Sequence, residues 1–161
     1  MIQNLICSYI LVIDLEGTLH DMNNPLLEKL KYTFKDLNNA NWSELGEIYA
    51  DNVIFKDPIH EIKGLVAVED YFSNISTDLL ECRFEYLDQV TSDNTAYLKW
   101  VMHFKHPRLG PDIIDVRGVS HIRWNEKIEY HEDFYDVGAM LYERLPVIGA
   151  VARWLKSRLA G

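Results

Sequence analysis

The sequence predicts an α+β domain, with helices first and a sheet after them. Three observations carry this. Up to about residue 75, apolar residues recur at helical spacing. Beyond residue 83 the period changes to two, across four successive extended segments. The connectors between those segments carry turn chemistry and no helix, so the strands should pair antiparallel and not wind as βαβ units.

Residues 25–40 read as the first helix. Pro25 suits a first turn, and Leu26, Leu27, Leu30, Phe34 and Leu37 make one stripe. A second short helix covers 42–49, with Ser43 as its N-cap. Val53, Ile54 and Phe55 form a short strand stopped by Asp57-Pro58, and Gly64 opens a third helix over 65–75. Strands follow at 83–91, 96–106, 113–124 and 127–135, separated by Ser92-Asp93-Asn94, a Pro107–Pro111 loop and Asn125-Glu126. Three regions result: an N-terminal extension over 1–21 that could add a strand, the domain over 22–142, and a basic amphipathic helix over 143–161.

At 161 residues one domain can bury a real core, and 48% apolar against 25% charged residues excludes a disordered chain. The net charge is −9, a field that repels nucleic acid. The charge is unevenly placed: residues 143–161 set Glu143 against Arg144, Arg153, Lys156 and Arg158. Cys7 and Cys82 stand alone, which gives neither a metal motif nor a disulfide framework. The apolar run over 5–13 is too short to span a bilayer and follows no basic residue, so a cytoplasmic location is expected.

Asp14-Leu15-Glu16-Gly17-Thr18 resembles the phosphatase loop of haloacid dehalogenases. That family needs a parallel sheet alternating with helices, and the consecutive strands here disfavour it.

A wider resemblance runs over residues 25–142. The two leading helices, the stretch Tyr49–Pro58, Gly64 opening a helix, and then four long strands resemble the nuclear transport factor 2-like superfamily. The closing stretch 127–138, in which Ile128 and His131 lead into Asp133, Tyr135 and Asp136, resembles the end of a SnoaL-like (polyketide cyclase, ketosteroid isomerase-related) domain. The resemblance implies a cone-shaped fold, N-terminal helices on a curved antiparallel sheet, with an internal pocket for a small apolar or amphipathic molecule. It implies neither cofactor nor metal.

Carried over position by position, Asp57 falls at the base of the isomerases. Their oxyanion donors fall on Thr33, beside Tyr32, and on Ser120. Both donors are changed, and losing one typically costs about 10²–10³ in rate, so steroid isomerisation by that route is disfavoured. If Ser120 faces inward, so do Ile114, Val116, Gly118, Ile122 and Trp124. The resemblance puts His131, Asp133 and Tyr135 inward as well, and Asp133 best matches the essential carboxylate of the cyclases. Asp57, His131 and Asp133 are therefore the candidate acid–base residues, and Tyr32, Trp100, Ser120, Ile122 and Tyr135 the candidate ligand contacts.

Plainer readings stand beside these. Asp57 before Pro58 also makes an ordinary turn cap, and His131 with Asp133 a satisfied polar pair. His103 and His106, three apart on a strand, cannot share a face as metal ligands. Three functions stay open: a ligand-binding domain, an isomerase- or cyclase-type enzyme with Asp57 or Asp133 as base, and a dimeric assembly domain. Burial should raise the pKa of Asp57 if it sits in the pocket. A homodimer is expected through a sheet face bearing Leu98, Met102, Phe104, Ile128, Tyr130 and Phe134. The C-terminal helix should pack on the protein, with membrane contact disfavoured by the acidic body.

Overall fold

The computed structural model describes residues 11–13, 19–21, 24–141 and 146–159. The phosphatase-like loop at 14–18 lies outside the described residues. A two-stranded antiparallel pair, β1 (Leu11–Ile13) and β2 (Leu19–Asp21), precedes α1 (Pro25–Thr33) and a 3-10 turn at Trp42–Glu47. Then come β3 (Tyr49–Lys56), β4 (Glu61–Lys63) and α2 (Leu65–Asp78). Four long strands follow, β5 (Glu81–Ser92), β6 (Thr95–Lys105), β7 (Ile114–Trp124) and β8 (Ile128–Tyr135), and then α3 (Val137–Met140) and α4 (Pro146–Leu159).

β3 to β8 form one curved, open sheet in the order β4-β3-β8-β7-β6-β5. The last four strands make the expected antiparallel meander. The sheet as a whole is mixed, because β3 pairs with β8 in parallel, Phe55 opposite His131. The α+β class stands, with helices preceding a curved sheet.

Local chemistry explains the helix ends. The Asn24 side chain accepts from the Leu26 N–H at 2.9 Å, and Pro25 opens α1 where its missing N–H is no loss. The helix stops at Thr33, not near residue 40, because the next segment turns to pair with the edge of β5. Leu37 N–H donates to Cys82 C=O, Phe84 N–H to Lys35 C=O, and Cys82 N–H to Asn38 Oδ1. Leu37 is still buried, but from a turn. Gly64 caps α2 with φ +90°, which a side chain would strain.

The core lies between the helices and the inner sheet face. Leu27, Leu30 and Phe34 meet Leu45, Phe55, Val68 and Phe72 above Leu98, Ile114, Val116 and Ile122. Phe34 lies edge-on to Phe72 with centroids 4.8 Å apart, and Trp42 stacks on Phe72 at 5.3 Å. Leu98, Phe104 and Ile128, expected on an association face, are buried in this core. Of that set Phe134 is half exposed, on the opposite face.

The expectation for the tail is corrected. In α4 the side chains of Val151, Trp154, Leu155 and Leu159 are 48–87% exposed, so these four are not packed on the domain. Among the described residues no helix is long and apolar enough to cross a membrane.

Candidate functional site

Sheet register assembles the site. β7 alternates as expected, with Ile114, Val116, Gly118, Ser120 and Ile122 buried. Across β7 and β8, Ser120 faces Asp133, Ile122 faces His131 and Gly118 faces Tyr135. On the other side of β7, Gly118 faces Trp100 of β6. Only a glycine fits at position 118, because a Cβ there would land on the six-membered ring of Trp100. Without one, the indole lies across β7 and its Nε1–H donates to Ser120 Oγ at 2.8 Å.

From Ser120 a buried relay runs inward. The Ser120 hydroxyl donates to Asp133 Oδ1 at 2.5 Å, and His131 Nε2 lies 2.9 Å from the same oxygen. His131 Nδ1 lies 2.6 Å from the Tyr49 hydroxyl. A carboxylate only accepts, so Nε2–H donates to Asp133, and Nδ1 shares the second hydrogen bond with the Tyr49 hydroxyl. Burial first, then the nearby Asp133 charge, push the Tyr49 pKa well above the usual phenol range, which keeps it a donor. Phe34, Tyr49 and Phe55 wall the imidazole, with ring centroids 5.1–6.0 Å away.

Both bonds to Asp133 fall on Oδ1, and Oδ2 has no hydrogen bond among the described residues. No fully buried side-chain oxygen or nitrogen among them lacks a partner, so Oδ2 is open. The Asp133 side chain is 15% exposed. The charge of this carboxylate also reaches Tyr71, Tyr86 and Tyr135. Burial raises all three phenol pKa values, and the Asp133 charge adds to each. They therefore stay protonated donors at neutral pH.

Asp57 sits elsewhere in the chemistry. Its Oδ1 accepts from the Ile59 and His60 N–H groups, each at 2.7 Å, which closes the turn between β3 and β4. Its Oδ2 accepts from Tyr71 O–H at 2.5 Å, and the His60 ring lies 3.1 Å away. Burial raises the Asp57 pKa, but the hydrogen bonds from Tyr71, Ile59 and His60 together outweigh it and leave it lowered. The expected rise is overturned: this carboxyl is held ionised by its donors. Tyr71 donates to Asp57 and also feels the Asp133 charge.

Of the predicted contacts, Trp100 and Ser120 belong to the relay, Ile122 is fully buried behind it, and Tyr135 lies beside Trp100 with centroids 6.2 Å apart. Tyr32 is 81% exposed and lines a separate open groove of about 1290 Å³ between α1 and β5. Phe84 and Tyr86 also line that groove, so Tyr86 touches both regions. The sequence reading missed Tyr49, Tyr71 and Tyr86. No motif marks them; only the spacing of Tyr86 on the inward-facing set of β5 pointed that way.

Among the described residues no group of three or more His, Cys, Asp and Glu could hold a metal. His103 instead bridges Asp115 at 2.7 Å and Glu85 at 3.5 Å as a cross-strand ion cluster on the outer sheet face.

Solved structures share this architecture. A protein with a ketosteroid isomerase-like fold from Catenulispora acidiphila, in complex with trimethylamine, superposes with a TM-score of 0.65 at 13% identity, covering 72% of this chain and 88% of that one. A SnoaL-like polyketide cyclase from Shewanella putrefaciens, so described, gives 0.60 at 19% identity, covering 73% and 93%. An NTF2-like protein of unknown function from Burkholderia pseudomallei gives 0.64 at 12% identity, covering 73% and 95%. At these identities the likeness is one of fold. A search of curated proteins finds no match. The family model for the SnoaL-like domain matches residues 31–131, which take in most of the core, Asp57, Trp100, Ser120 and His131. This chain belongs to the SnoaL-like domain family and has the NTF2-like fold.

Proposed function

We propose that this domain binds a small, largely apolar or amphipathic molecule that offers one hydrogen-bond donor to Asp133. The observation that carries the reading is the open Oδ2 of Asp133. Its partner oxygen is tied down twice by Ser120 and His131, so the carboxylate is oriented before a ligand arrives. The partly exposed rings of Tyr71, Tyr86 and Tyr135 supply apolar contact near one fixed polar point, the usual composition of a ligand site. The groove between α1 and β5 provides the approach, because Tyr86 belongs to its wall and to the Asp133 surroundings.

A second reading is an isomerase- or cyclase-type enzyme. It is favoured by the Tyr49–His131–Asp133 relay, in which Asp133 would take a proton and His131 would hold the carboxylate in place. Asp57 is the weaker base of the two, since four hydrogen bonds engage its oxygens. A two-copy assembly through the outer sheet face, where Tyr97 and Phe134 are half exposed, is compatible with either reading. A monomer mass in sedimentation at high concentration would remove it.

The binding reading is tested by titrating the purified full chain with 2-naphthol, an apolar fluorescent probe with one hydroxyl donor, and by mass spectrometry of a solvent extract of the native protein. Saturable one-site binding that weakens at least about fivefold in Tyr86→Phe or Asp133→Asn, loss of one good hydrogen bond, supports it. Saturable binding that neither substitution changes places the ligand elsewhere. No saturable binding together with an empty extract removes the reading.

A further inference from the structure

We propose that α4 is a membrane-surface helix that lies in the headgroup layer of an anionic bilayer. The inference is independent of the pocket. Within α4, Val151, Trp154, Leu155 and Leu159 follow one another at i, i+3, i+4 and i+8, so they share one face of the helix. That face is uncovered: Leu155 is 48% exposed and Leu159 87%. A terminal helix with four large apolar side chains in water needs a cover, and its charge says which.

The helix carries Arg153, Lys156 and Arg158 and no acid. Arg158 lies over the Trp154 ring, 4.8 Å from its centroid. A tryptophan with an arginine on its face suits a bilayer interface, where the ring enters the acyl boundary and the cation stays among phosphates. An apolar face with an arginine rooted in it, on a helix whose only charges are basic, suits an in-plane position on anionic lipid, where the long Arg158 side chain reaches up to the phosphates.

The protein surface fits less well. The lining of the groove between α1 and β5 sets four acids against four bases, so it has no net charge to attract a basic helix. The other exposed large apolar residues are spread over α1, the turn after β3, α2, the residues just before β5 and β7, and strands β5, β6 and β8. A lipid surface needs no shaped trough. The acidic body opposes approach only within a Debye length, about 8 Å at physiological ionic strength.

The test is flotation of the full chain with vesicles of phosphatidylcholine alone and of phosphatidylcholine with phosphatidylglycerol, at low and high salt. The wild-type protein should float with the phosphatidylglycerol vesicles, less at high salt, and poorly with phosphatidylcholine alone. Trp154→Ser and Leu155→Ser should each weaken partitioning at least about tenfold, since each removes a large apolar side chain from the acyl boundary. Arg158→Glu should weaken it roughly thirtyfold, a reversal worth two unit charges near the surface. All three positions are at the helix surface, so the variants should melt like wild type. Absence of flotation overturns the proposal. So does flotation that ignores all three substitutions or the lipid charge. A Leu155→Ser variant whose sedimenting mass falls to that of a monomer would show that a second copy covers the face instead.

Discussion

Gly118→Ala is the sharpest test of how the site is built. The added Cβ would collide with three carbons of the Trp100 ring, an indole that is 1% exposed and cannot swing into solvent. Trp100 must shift into neighbours already at contact, among them Phe84 with its centroid 5.0 Å away. Overpacking of this kind costs about 1–3 kcal/mol. The shift also breaks the 2.8 Å bond to Ser120, worth about 0.5–1.5 kcal/mol net. The expected loss is thus about 2–4 kcal/mol. In equilibrium urea unfolding the slope should hold while the midpoint falls by roughly 1–2 M, given a slope of about 1–3 kcal/mol/M for a domain of this size. Trp100→Phe removes the colliding ring atoms, so Gly118→Ala should cost distinctly less in that background. The reasoning is refuted if Gly118→Ala is within about 0.5 kcal/mol of wild type, or if the two substitutions are additive.

Two further outcomes follow from the titratable groups. Asp57→Asn should destabilise the protein by about 1–3 kcal/mol at neutral pH, because an amide cannot accept all the bonds the carboxylate accepts. The folded-state pKa of Asp57 lies below its unfolded value near 3.9. Its contribution is therefore present above that pH and lost as pH falls through the lower folded value, so the acid limb of the stability curve should be shallower in the variant; equal limbs in urea melts between neutral pH and about pH 2 would contradict this. Burial, with the Asp36 charge added, pushes the buried Cys82 thiol up to about 12, so in a Cys7→Ser background it should react with a disulfide reagent only at the rate of unfolding. Labelling within the mixing time of native protein would refute that.

Much of the fold was legible in the sequence because the signals were periodic. β7 is the clearest case: its alternation put Gly118, Ser120 and Ile122 on the inner face, where they are. The relay was only half legible. The last strand is apolar on both faces, and its pairing shifts register beside Trp124, so parity could not choose a face for His131. Tyr49 was invisible as its partner, since the two are 82 residues apart and meet only once β3 lies parallel to β8. Asp57 misled for a similar reason. Burial was foreseeable, but the opposing bond comes from Tyr71 on α2, whose spacing marked it as one more apolar helical position. β4 is three residues long, too short for any period to show.

The parallel pairing of β3 with β8 also bears on synthesis. The sheet places its last strand in the interior, between β3 and β7, so the first half of the chain emerges with no neighbour for one side of β3. The β3–β4 hairpin must wait, edge open, through the whole meander before its permanent partner exists, a delay during which unpaired backbone invites wrong association. The acceptor for Tyr49 arrives on that same final strand. A chain released before residue 128 would therefore lack half of its sheet seam and all of its carboxylate anchor at once, so incomplete copies should fail to fold and not persist as empty binding domains.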